Sequence, residues 1–106
     1  SRVTLRIRAA SVPYLPESYA LAEAKVLPGA VAKNWELVGA KTTVDASIPE
    51  PLQNILLDPQ TSGGLLITVA SHDLDALLQD LRNRKITEAA AIGVVEQAQG
   101  PALIVE

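Results

Sequence analysis

The chain has 106 residues, 48% of them apolar, and a formal charge of −3. That length fits one domain with a core of its own, and the acidic balance speaks against a nucleic-acid-binding surface. With no cysteine and a single histidine, disulfides, thiolate sites, cysteine nucleophiles and multi-histidine metal sites within the chain are excluded.

Val3, Leu5, Ile7 and Ala9 alternate with Arg2, Thr4, Arg6 and Arg8, the period-two pattern of a half-buried strand over residues 3–9. The arginine-bearing face reads as a solvated one, with docking of an acidic partner or a further domain as the alternative. Pro13 and Pro16 bracket a loop, and Pro16 suits the first turn of a helix over about 16–26 with a modest, alanine-rich apolar side. Pro28-Gly29 ends that helix and opens an irregular segment through Asn34. Residues 35–38 are expected to be a short extended stretch, with Trp35 in the core or at a domain interface. Gly39-Ala40-Lys41-Thr42-Thr43 looks like the tail of a phosphate-binding loop. That motif requires glycine where Ala40 and Trp35 stand, so the reading is rejected.

Ser47 and Glu50 have the spacing of a capping box at the head of a helix over about 48–57, with Leu52, Ile55 and Leu56 facing inward. Pro59 stops that helix, and the turn Asp58 to Gly64 follows. The nearly continuous apolar run Leu65 to Ala70 is expected to be an interior strand covered on both faces. Ser71 caps an expected helix over 72–84, with Leu74, Leu77, Leu78 and Leu81 on one face and Arg82, Arg84 and Lys85 at its end. His72, at its start, reads as an exposed surface residue. Residues 90–95 read as a strand, 97–100 as a turn, and 101–105 as a returning hairpin partner. The whole reads as one α+β domain over 1–106: a mixed, mostly antiparallel sheet with helices packed on it.

The acidic residues do not converge, and Ser62 has no histidine near it in sequence. No catalytic residue and no metal ligand is therefore expected. What remains is an anion cradle. The main-chain N–H groups of Thr61 to Gly64, with the hydroxyls of Thr61 and Ser62, form a tight turn able to hold phosphate oxygens, and Gly63 and Gly64 permit positive φ. Asp58 either joins that site or bonds the turn's own backbone. Lys33 and Asn34 add a charge and an amide if the fold brings them close. A purely structural turn stays open.

The string Asp58-Pro59-Gln60-Thr61-Ser62-Gly63-Gly64-Leu65-Leu66 closely resembles the signature in the C-terminal domain of selenophosphate synthetases (selenide, water dikinases). Pro28-Gly29-Ala30 followed by Lys33-Asn34 is similar to that family's P-G-G…R-N segment, with Ala30 for the second glycine and Lys33 for arginine. The resemblance covers essentially the whole chain, as the last third or so of such an enzyme, and implies an N-terminally truncated piece, inactive alone. It implies an enzyme that makes selenophosphate, AMP and phosphate from ATP, selenide and water with Mg2+, working as a cytoplasmic homodimer. ATP and selenide would act through an N-terminal domain that supplies the reactive cysteine or selenocysteine, the essential lysine and the metal-binding aspartates. This stretch alone would bind neither Mg2+ nor ATP, no nucleic acid and no membrane.

The same resemblance implies that Lys33, Asn34, Asp58, Gln60, Thr61, Ser62, Gly63 and Gly64 line the cleft, positioning substrate or phosphate and excluding water. Lys33 lacks arginine's two-point fork. A related ATP-using synthase of the aminoimidazole ribonucleotide synthetase superfamily is a second reading, and a non-catalytic binding module a third.

Overall fold

The computed structural model describes residues 2–106. Four strands, β1 (Val3–Ile7), β2 (Thr42–Val44), β3 (Gly93–Gln97) and β4 (Leu103–Val105), form one sheet in the order β2-β4-β1-β3. β1 runs antiparallel to β3 and parallel to β4, and β4 runs parallel to β2. The α+β class and the mixed sheet are as expected, but two of the three pairings are parallel rather than antiparallel.

The expected hairpin of the last two strands does not form, because β1 lies between them. Thr4, wholly buried, explains the detour. Its Oγ1 donates to the Pro101 carbonyl at 2.8 Å and accepts from the Gln99 N–H at 3.0 Å. Ala102 then donates its N–H to Lys41 and accepts from Leu5, so the connection crosses the start of β1 and sets β4 down on its far side. Gly100, at a φ of 101°, makes the reversal in a conformation that side-chain-bearing residues avoid.

Cross-strand register puts Leu5 beside Leu103, Ile7 beside Val105 and Val44 beside Val105, so these side chains share one face. Helix α3 (Glu50–Leu56) covers it. Ala9, Ile48 and Val105 form the buried centre, with Val44, Leu52, Leu56 and Leu103 packed around them. Each leucine brought out of water there contributes about 1.5–3 kcal/mol when fully covered. Helix α1 (Pro16–Glu23) lies on α3, where Ala22, 3% exposed, allows close approach, and Lys25 pairs with Glu50. The first helix ends earlier than expected, since Lys25 sits at a φ of 61°.

The other face of β1 is solvated in part: Arg2 and Arg8 are exposed, Arg6 is half-buried and Thr4 is buried. Arg6 donates to both Glu96 oxygens and to Glu106, and Arg8 donates to the Ala91 carbonyl. Flanked by Glu96 and then Glu106, the Arg6 guanidinium is held even more firmly in its charged form than usual.

Three further expectations are corrected. Residues 30–38 are neither irregular nor extended but form helix α2 (Ala30–Val38). Alanine, lysine, glutamate and leucine outweigh the aromatic and branched residues there, and Trp35 is 43% exposed rather than in the core. Ser47 caps nothing: its N–H and hydroxyl both donate to Asp45 Oδ1, at 2.8 and 2.6 Å, while Pro49 occupies the cap position. Ser71 likewise makes no cap bond; it opens a single 3-10 turn (Ser71–Asp73) that leads into helix α4 (Leu74–Asn83).

The largest correction concerns the interior strand. Residues 65–70 pair with no strand, and Leu65, Leu66 and Ile67 are 90%, 64% and 54% exposed. High β propensity describes fit to a pleated neighbour, and without a ladder to join it makes no strand. No helix among the described residues is long and apolar enough to cross a membrane.

Candidate functional site

Helix α3 runs out at Leu57, where Pro59 forbids another turn. Two hydrogen bonds hold its end. The Asp58 N–H donates to Ile55 at 3.1 Å, and Asn34 Nδ2, reaching over from α2, donates to the Leu57 carbonyl at 2.7 Å. Beyond them, no main-chain or side-chain group of residues 59–69 makes a hydrogen bond among the described residues. The amides of Thr61 to Gly64 and the hydroxyls of Thr61 and Ser62 are thus unspent, and all of these residues are exposed.

The glycines serve differently from the expectation. Neither Gly63 nor Gly64 has positive φ. A Cβ at Gly63 would collide with the side-chain oxygen of Gln60, which folds over the turn, whereas one at Gly64 meets nothing within 4 Å. What they provide is bare backbone rather than a left-handed bend. Asp58 does not bond the turn's own backbone and forms no ion pair with a described residue. Its carboxylate stands at the neck of the loop with its oxygens open.

The structure brings Asn34 to the root of the loop through Leu57. Lys33, the next residue on α2, is exposed and joins no ion pair among the described residues. Next to the root lies an open groove of about 490 Å³ between α2 and α3, walled by Leu27, Val31, Trp35, Gln53, Asn54 and Leu57. Residues 58–64 do not line it; the groove and the loop meet at Leu57. The sequence reading missed this groove because it took Trp35 for an extended residue. On a helix, Val31 and Trp35 stand four apart and share a face.

Perturbed titrations lie elsewhere. Ser47 holds the Asp45 carboxyl below its ordinary range, and the Thr87 hydroxyl does the same for Glu88. No trio of histidine, aspartate or glutamate among the described residues converges on a point, so the residues present do not fit a magnesium site. The site is a loop of unspent amide and hydroxyl donors with the Asp58 carboxylate at its neck. Donors in that arrangement suit an anion.

The chain is similar to selenide, water dikinases along most of its length. It is 39% identical over 100 residues to that of Paraburkholderia xenovorans (strain LB400), covering 94% of this chain and 28% of the relative. With that of Rhizobium meliloti (strain 1021) it shares 35% identity over 93 residues, 88% of this chain and 27% of the relative. With that of Pelobacter propionicus the identity is 35% over 102 residues, 96% of this chain and 29% of the relative. The chain therefore spans under a third of the length of the curated relatives it matches. No protein-family profile matches it.

Proposed function

We propose, from this similarity to selenide, water dikinases, that the chain is the C-terminal domain of an enzyme making selenophosphate from ATP, selenide and water, with AMP and phosphate released. Its own residues supply positioning. The observation that carries this reading is the unspent row of donors from Thr61 to Gly64, rooted on the end of α3. Amides fixed at one end and open at the other can close on phosphate oxygens without first breaking internal bonds.

Thr61 and Ser62 add hydroxyl donors to the same row, and Gln60, folded against Gly63, adds an amide. Lys33 brings a point charge from α2 toward the anion as the cleft closes, a weaker hold than an arginine fork. Asp58 and Asn34 stand at the base of the loop. Closure of this loop orients the phosphate and keeps water from it. Magnesium and the nucleotide are held by residues outside this stretch, and the parent works as a cytoplasmic homodimer.

The test joins this chain to the remaining part of a relative and follows selenide-dependent AMP formation. Thr61→Ala with Ser62→Ala, and separately Gly63→Val, are expected to lower the rate by roughly tenfold to a hundredfold while the melting temperature stays within about 3 °C. Matching losses of rate and stability would make the loop scaffolding. AMP formation indifferent to selenide would favour the related superfamily synthase. The exposed Leu65, Leu66 and Ile67 speak for the third reading, a binding module, which predicts partner capture without turnover.

A further inference from the structure

Asn34 makes a bond that places it outside the ligand-binding row. Its Nδ2 is committed to the Leu57 carbonyl at 2.7 Å, in a partly buried position, across 23 residues of sequence. That carbonyl is one of those left unpaired where a helix stops, and it lies one residue before Asp58. The next main-chain bond along the chain is donated by Asp73 to Ala70. Between the two ties stand eleven residues, 59–69, with no hydrogen bond of their own among the described residues.

A segment tied so rarely takes its direction from its roots. At the near root, Asp58 N–H to Ile55 continues the helix axis, while the Asn34 bond alone joins the exit to a second element, α2. α2 also walls the groove beside Leu57, so the amide bridges the two sides of that groove at its end. We infer that Asn34 is a positioning residue: it aims the Thr61 to Gly64 donors by holding the Leu57 carbonyl, and it does not contact the ligand through Nδ2. The effect on turnover rests on the proposed function; the effect on the loop does not.

Two measurements test it. In amide spectra of the 106-residue chain, Asn34→Ala is expected to move the resonances of residues 57–64 and to leave β1 through β4 in place. Shifts confined to α2, or spread through the whole chain, would overturn the inference. In the joined enzyme described above, Asn34→Ala is expected to lower kcat by roughly tenfold to a hundredfold with KM little changed, since aim rather than grip is lost.

Asn34→Asp supplies a readout that mere scaffolding would not move. Its carboxylate cannot donate to a carbonyl, but its protonated form can. The ratio of its rate to the native rate should therefore climb as pH is lowered, while that of Asn34→Ala stays flat. A flat ratio for both variants, or a rise in KM at constant kcat, would overturn the inference. If the Thr61 and Ser62 substitutions leave AMP formation unchanged while the Asn34→Ala shifts appear as expected, the proposed function fails and the positioning role stands.

Discussion

A methyl group added at Gly93 would run into the Arg6 carbonyl oxygen, whereas one added at Gly64 meets nothing within 4 Å. Gly93 faces Ile7 where β1 and β3 pair, so Gly93→Ala must push two strands apart. A loss of about 1–3 kcal/mol is expected, read as a lower urea midpoint. Gly64→Ala should be neutral or slightly stabilising, because its φ already suits a side chain. Thr4→Val keeps the shape but strips both bonds from the loop over β1, leaving the Gln99 N–H and the Pro101 carbonyl unmatched. That costs about 1–3 kcal/mol, seen in the same denaturation experiment. At Asp45 the expectation concerns pH. Ser47 favours the ionised form in the folded chain, so the stabilising contribution is present above the unfolded-state pKa and fades as pH falls through the lowered folded one. A carboxyl titration by NMR should find Asp45 below the ordinary aspartate range and show it rising in Ser47→Ala. Little of this was legible beforehand. Thr4 lies in the polar half of an alternating strand, and nothing local says that a loop 97 residues away will bury it.

Among the elements, α3 keeps the core-facing role that its sequence predicts, while the stretch 65–69 does not take the interior one. Both are leucine-rich and adjacent, yet α3 covers the core while the stretch lies open. Leu56→Ala should therefore destabilise by about 1–3 kcal/mol, short of the full core value because the site is only partly buried. Leu65→Ser should leave the melting temperature within about 1 °C, since the side chain is already 90% in water. Swapped outcomes would mean that the stretch lies inside the fold. Helix α3 and β1 were readable because their periodicity matches the face they cover, and α4 because its leucines fall on one side. Helix α2 was not, since Pro28-Gly29 reads as a helix stop and the residues after it as a loop. The DPQTSGG loop was legible as a loop and as a row of donors. Its anchor, Asn34, was not, because the bond spans 23 residues and arises only where α2 comes close to the end of α3.

For the molecule as a whole, surface is the telling quantity. The accessible area is 7781 Å², against about 5,700 Å² for a compact monomer of this mass. The radius of gyration, 14.8 Å, likewise exceeds the roughly 13 Å usual for this length. The difference of about 2,000 Å² on one chain exceeds the roughly 800 Å² that each partner gives to a standard interface, and Leu37, Leu65, Leu66 and Ile67 carry a conspicuous share of the exposed apolar surface. The native chain is accordingly expected to bind a hydrophobic dye, with weaker fluorescence in a Leu65→Ser, Leu66→Ser double variant. Unchanged fluorescence would place the open surface elsewhere. Here the sequence was silent, because composition counts apolar residues without saying which of them find cover.

β4 occupies the middle of the sheet, yet it comes from residues 103–105. β1, made from residues 3–7, must wait beside an empty lane until that strand arrives. Until β4 is in place the sheet stands in two halves, with β2 stranded from β1. Closing the sheet joins Leu5 to Leu103, a non-local pairing of the kind that slows folding.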